Sequence, residues 1–247
     1  MKLKLKIATY NICAGSSDGY FKKKNYYKAT EVIASVNADV IALNEVGKKL
    51  PPYIKDHAAF IANECGYKYF HFACAASFGN FPYGNAILSK YPISRYSEIP
   101  IKIFDSKLPA IYEPRCILCT HIDSDIPIRV ICTHLGLFRD EQRKGIRIVS
   151  ELIKTSNMPT VFMGDMNING DQSLITETFG LKLIDVCAAR NSHIKTYPSA
   201  NPKKRLDYIF LSEDIEPTNV YAVNTTASDH LPLVADIFVK PKQPSLL

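Results

Sequence analysis

Six short segments of this sequence gather carboxylates, carboxamides and imidazoles. They are Thr9–Tyr10–Asn11, Asn44–Glu45–Val46, Thr133–His134–Leu135, Gly164–Asp165–Met166–Asn167, Arg205–Leu206–Asp207–Tyr208 and Ser228–Asp229–His230. A seventh runs Gly84–Asn85–Ala86–Ile87–Leu88–Ser89, and Arg115 follows Glu113 by two. Carboxylate and carboxamide oxygens are hard ligands of the kind that Mg²⁺ and Mn²⁺ prefer. An imidazole beside a carboxylate handles protons near neutral pH. The combination suits hydrolysis of a phosphoester, an anionic group whose transition state gathers further charge on oxygen. Singly, each segment has an ordinary reading as well. Asn11 after a strand is a turn former, Glu45 a surface acid, Gly164–Asp165–Met166–Asn167 an Asx-turn, and Asp229–His230 a cap or surface pair. The argument for chemistry rests on all of them together and in order.

Regular elements are needed to carry these residues. Residues 3–13 alternate apolar and polar and then turn polar, which predicts a strand ending near Asn11. Residues 25–37 carry Tyr27, Val32, Ile33 and Val36 at near-helical spacing. The apolar run 39–43 predicts a strand buried on both faces and ending at Asn44–Glu45. Residues 53–65 predict a second helix, with Ile54, Ala58 and Ile61 on one stripe. The middle of the chain is β-rich, with strands expected over 67–74, 85–89, 116–122 and 128–133. Asp123–Ser124–Asp125 is the turn between the last two. Residues 138–155 form the clearest helix, with Ile146, Val149 and Ile153 on its apolar stripe. Further strands are predicted over 160–163, leading into Gly164–Asp165, and over 206–211 and 233–239. Strand and helix candidates alternate, which predicts a mixed α/β domain with helices covering sheets. No short-period repeat is evident. The polar residues fall again and again at strand ends, where a rigid sheet aims side chains into a shared cleft.

The chain has 247 residues, 47% of them hydrophobic and 22% charged, and a formal net charge of +6. That length suits a single α/β domain with a sizeable core. The positive balance mildly favours anionic partners. Cys116 and Cys119 form a CxxC among seven cysteines. A spacing of three along a strand sends two side chains to opposite faces, and no second CxxC completes a zinc set. Buried thiols in a reducing compartment are therefore the expected state. No continuous apolar run reaches the length of a secretory signal or a membrane span, so a cytoplasmic protein without stable membrane association is expected.

In their order, the segments resemble the endonuclease/exonuclease/phosphatase superfamily, the DNase I-like phosphoesterases, over residues 5–239. Gly-Asp-x-Asn and the late Ser-Asp-His are the most specific motifs. The resemblance implies a four-layer α/β/β/α sandwich of two mixed sheets, with one domain over residues 1–239 and a flexible tail over 240–247. It implies a metal site for Mg²⁺ or Mn²⁺ at Glu45, with Asn11 and Asp229 contributing. It implies that Asp165 positions or activates the attacking water and that Asn167 contacts the phosphate. His230 would bond a phosphate oxygen or act as acid/base, oriented by Asp207, and His134 would donate to the phosphate. Asn44 stands where the family usually has Gln. Asn85 and Arg115 match recurring family positions, either as substrate contacts or as structural hydrogen bonds. His57, His71, His121 and His193 are expected to be structural or surface residues. The implied activity is phosphodiester hydrolysis by direct attack of water on a nucleic acid or nucleotide-like substrate, by a monomer. Phosphatase or phosphodiesterase action on inositol phosphates or lipid head groups is the alternative. A non-catalytic phosphate-binding module and a redox or zinc protein are the readings from other classes. Tyr20, Phe21, Phe81 and Tyr83, in loop-like stretches, together with Lys22, Lys23 and Lys24, would line a groove or else cover the core.

Overall fold

The computed structural model describes residues 2–16, 26–47, 56–102, 113–155, 157–168, 173–174 and 183–241. Two mixed sheets of six strands each pack face to face. In the first, the order is β11 (Ile215–Ala222), β12 (Leu233–Val239), β1 (Leu3–Asn11), β2 (Val40–Gly47), β4 (Phe81–Ser89), β3 (Tyr69–Phe78). In the second it is β5 (Ile93–Ile101), β6 (Arg115–Ile122), β7 (Ile128–His134), β8 (Thr160–Asp165), β10 (Asp207–Ser212), β9 (Leu183–Asp185).

The alternation of β1 decides its faces. Leu5 and Ile7 enter the core between the sheets, where they join Cys116, Leu118, Val130, Cys132 and Met163 of the opposite sheet. Ala8 and Tyr10 point the other way, under helices α1 (Tyr26–Val36) and α2 (His57–Glu64). Helix α3 (Arg139–Lys154) covers the outer face of the second sheet through Ile146 and Val149, packed near Ile117, Ile131 and Phe162. The layers are thus helix, sheet, sheet, helix. Cys116 and Cys119 lie on opposite faces of β6, in the inter-sheet and the outer core respectively, and the cysteines form no disulfide. No described helix is long and apolar enough to cross a membrane.

Each sheet has one parallel pair at its centre, β1 with β2 and β7 with β8. A parallel pair brings two carboxyl ends to the same edge. Both sheets repeat the layout, with an antiparallel strand pair on either side of the parallel one. The repetition lies in the topology.

Several expectations need correction. β2 does not stop at Asn44–Glu45 but runs on to Gly47, with a register shift against β4 between Leu43 and Val46. Glu45 there has a φ of 59°. The extra residue of a bulge re-aims a side chain, and here the carboxylate is the one re-aimed. Phe81 and Tyr83 lie on β4, not in a loop; Tyr83 is buried and Phe81 exposed. Tyr27 sits on the exposed side of α1, and Tyr26 takes the buried position. Tyr20, Phe21, Lys22, Lys23, Lys24 and Ile54 lie outside the described residues, as does residues 242–247 of the expected tail. Strands β5, β9 and β11 had no counterpart in the sequence reading.

The backbone crowds at β8. Gly164 has a φ of 146°, and a Cβ there would stand 1.9 Å from the carbonyl oxygen of Thr133. No side chain fits without pulling β7 and β8 apart. Gly164→Ala is therefore expected to destabilise the fold by about 3 kcal/mol. The midpoint of urea denaturation reads this directly, and an unchanged midpoint would contradict the close approach.

Candidate active site

Strand register alone brings the polar residues together. Asn11 is the β1 partner of Asn44 on β2. Asp165 has His134 beside it on β7 and Asp207 on β10. Because the sheets face one another, these two clusters meet. The loop before β12 adds Ser228, Asp229 and His230, with Ser228 Oγ donating to the Asn11 carbonyl at 2.7 Å.

Asp165 is at the centre and is buried. Its Oδ2 accepts from Asn11 Nδ2 at 3.0 Å, and its Oδ1 from the Asn167 backbone N–H at 2.9 Å. His134 Nε2 and His230 Nε2 lie 3.5 and 3.6 Å from Oδ2. Burial, reinforced by Asp207 and opposed by His230, raises the Asp165 pKa to about 6. A carboxylate in that range is matched to proton transfer near neutral pH.

Asn11 also donates to Glu45 Oε1 at 2.9 Å, while its own Oδ1 accepts from the Cys13 N–H. Glu45 Oε2 is buried and has no hydrogen-bond partner among the described residues. A buried carboxylate oxygen left bare is costly unless something positive binds it. The free Glu45 oxygen therefore fits a hard cation, whereas Asn11, expected to contribute a ligand, turns its amide N–H and not its oxygen towards Glu45. Asp165, Asp207 and His230 also bring ligand-type atoms within 4.8 Å of one another. Two of these are already engaged, since His230 Nδ1 and Asp207 Oδ2 are hydrogen-bonded at 2.8 Å. That cluster is better equipped to hold a proton.

The two histidines differ in charge. Burial of His230 works against its cation, but Asp207 and Asp165 outweigh it and lift the pKa to about 10. His134 is pushed well below the ordinary value by burial, with Arg115 and His230 adding to the effect. Arg115 Nη1 lies 2.9 Å from His134 Nδ1. Asn167 Nδ2 donates to the Leu135 carbonyl at 2.8 Å and lies 3.0 Å from His134 Nε2.

Asp229 is half-buried, next to His230, and accepts from Ser228 Oγ at 3.3 Å. Asn85 is buried, accepting from Asn44 Nδ2 and donating to the Cys116 carbonyl, which is a structural use. His57 is buried and stacked on Tyr26. Tyr197, absent from the sequence reading, leans on His230 with ring centroids 4.9 Å apart. Only its place just before Pro198 marked it in the sequence. Backbone in the left-handed region gathers here too, at Cys13, Ala14, Glu45 and Asn167, as it does where structure is strained for a purpose.

Such a fold and site define a phosphoesterase-type sandwich. The chain belongs to the Endonuclease/Exonuclease/phosphatase family, whose model matches residues 8–230. It is 25% identical to the uncharacterized protein YbhP of Escherichia coli K12, over 94% of this chain and 95% of that protein. Among solved structures it resembles D. rerio TDP2 complexed with single strand DNA product, at a TM-score of 0.73 and 16% identity over 95% of this chain and 98% of that one. It also resembles a mannosyl-6-phosphatase of Bacteroides thetaiotaomicron, at a TM-score of 0.70 and 15% identity over 94% and 99% of the two chains.

The His230–Asp207 pair can be checked without substrate. A histidine in the unfolded chain titrates near 6.5, and here it titrates near 10. The pair's contribution to stability is thus fully present below about 6.5 and is lost as pH rises through about 10. NMR titration should find His230 cationic throughout the neutral range. In Asp207→Asn it should lose its proton at much lower pH; an unmoved titration would show that Asp207 is not what holds the charge.

Proposed function

We propose that this protein hydrolyses phosphoester bonds with a divalent cation, Mg²⁺ or Mn²⁺, by direct attack of water. The observation that carries the reading is the bare, buried Oε2 of Glu45 beside a carboxylate raised towards neutrality at Asp165. Glu45 would hold the cation, with Asn11 fixing its other oxygen and Asp229 contributing from the loop before β12. Bound there, the ion would polarise the phosphoryl group and steady the leaving oxygen. Asp165, braced by Asn11 and by the Asn167 N–H, would orient the water and take its proton. His230, kept cationic by Asp207, would donate through Nε2 to a phosphoryl oxygen, and His134 and Asn167 would add neutral donors. Fixed donors in a dry site need no reorganisation as charge develops.

For the substrate we propose nucleic acid or a nucleotide-like diester. The net charge of +6 and the likeness to a fold solved with a DNA product support it. The mannosyl-6-phosphatase likeness favours a second reading, a phosphatase of small phosphorylated molecules such as inositol phosphates. We further propose one catalytic domain over residues 1–239, acting as a monomer in the cytoplasm, which suits cysteines that form no disulfide.

EDTA should abolish turnover and Mg²⁺ or Mn²⁺ restore it. Glu45→Gln and Asp165→Asn should each lower kcat by about 10²–10³ while the protein stays folded. Full turnover by metal-free protein would sink the mechanism. Single-stranded and duplex DNA, inositol phosphates and bis-p-nitrophenyl phosphate, assayed over a salt series, separate the substrates. Cleavage of nucleic acid should weaken as salt rises. Turnover of inositol phosphates alone would transfer the conclusion to the second reading.

A further inference from the structure

Helix α3 buries Gln142 on its apolar side, one turn before Ile146. A polar side chain so placed is costly unless its amide finds partners. Its Nε2 has two, the Gly136 carbonyl at 3.0 Å and the Asn167 carbonyl at 3.2 Å. Both partners can only accept, so the nitrogen with its two hydrogens must face them. Gly136 lies two residues after His134, and Asn167 two after Asp165. One side chain thus holds together the loops that leave β7 and β8.

The helix is itself fixed to the first of these loops. The Gln142 N–H donates to the Phe138 carbonyl at 3.1 Å, and the Glu141 carboxylate accepts from the Phe138 N–H at 3.3 Å. Gly136 leaves room for that carboxylate, since a Cβ there would stand 2.1 Å from Glu141 Oε2. Asn167 is the member that needs holding. Its φ is 51°, a left-handed conformation that asparagine tolerates but does not require. Its N–H donates to Asp165 Oδ1 at 2.9 Å. Its carboxamide donates to the Leu135 carbonyl at 2.8 Å and lies 3.0 Å from His134 Nε2. A shift of the Asn167 backbone would therefore disturb the brace on Asp165 and the carboxamide beside His134 together.

We propose that Gln142 is a positioning residue: by clamping the Asn167 and Gly136 carbonyls it fixes Asn167 in its left-handed conformation, and so sets the Asn167 carboxamide and the Asp165 carboxylate for the reacting phosphoryl group and water. Gln142 acts through Asn167 and touches no substrate. The clamp stands on geometry alone; its use in phosphoester hydrolysis rests on the function proposed above.

Gln142→Met keeps the bulk and removes both donors. On bis-p-nitrophenyl phosphate it should lower kcat by about 10–10² with KM changed far less. In a double-mutant cycle with Asn167→Ala, the two losses should be clearly less than additive, because one residue acts through the other. Parent kcat in Gln142→Met overturns the proposal, as does strict additivity, which is what a merely structural residue would give. ¹H–¹⁵N spectra of the full chain read the clamp without substrate. In the parent protein the Asn167 carboxamide protons should be distinct and slow to exchange; in Gln142→Met they should move towards a free carboxamide. Unmoved signals overturn the clamp whatever the activity. Should Gln142→Met fail to fold, Gln142→Glu, which keeps the size and takes away the donors, gives the same readings. Loss of folding in both variants would assign Gln142 to the core and overturn its positioning role. Moved signals in a protein that cleaves no phosphoester would uphold the clamp and remove the proposed function alone.

Discussion

Asn44 is the pin between the two sheets. Its Oδ1 accepts from the Asp165 N–H at 2.9 Å, and its Nδ2 donates to the Thr133 carbonyl and to Asn85 Oδ1. A side chain of the first sheet therefore satisfies backbone groups of two adjacent strands of the second, in a place no water is needed to reach. Each such bond contributes only about 1 kcal/mol net, but an orphaned buried partner costs more than that. Pulling the sheets apart at this point would strand several polar groups at once. Asn11 adds a parallel tie through Asp165. The spacing of the whole cleft is set by these two carboxamides.

What the tie creates is a buried carboxylate with fixed surroundings. Burial raises Asp165, and the same burial makes the partner of each histidine decisive. A carboxylate opposite one imidazole and a guanidinium opposite the other leave two rings of the same residue type in different states, His230 cationic and His134 neutral. The arrangement sets one cationic and one neutral imidazole beside the same carboxylate oxygen of Asp165. A second cationic imidazole so close would repel the first, so the division also limits the electrostatic cost of assembling the site.

The chemistry-bearing residues were legible because they sit at the ends of strands whose alternation is strong. β1 and α3 declare themselves by a periodic apolar face, and β7 and β8 by apolar runs buried throughout. β5 and β11 did not. Both are edge strands; β5 exposes most of its residues, and β11 has Pro217 and a register shift. Neither alternates, because neither has a face fully buried. The left-handed conformation of Glu45 had no local signal, since nothing about glutamate favours it. The partner of His134 was invisible for another reason: Arg115 and His134 meet only through the antiparallel register of β6 and β7. The family resemblance supplied Arg115 as a position of interest, and the structure sets it against His134.

The antiparallel pairing of β1 with β12, which runs from Leu3 with Val239 to Thr9 with Leu233, has a consequence for biosynthesis. During translation β1 emerges first, yet its outer neighbour is delivered only after every other described strand has been made. Until then its backbone edge is an open template. His230, carried on the approach to β12, arrives at the same late moment. Long-range closure of this kind is slow, and until it happens Asp207 and Asp165 wait without the imidazole that His230 brings to them.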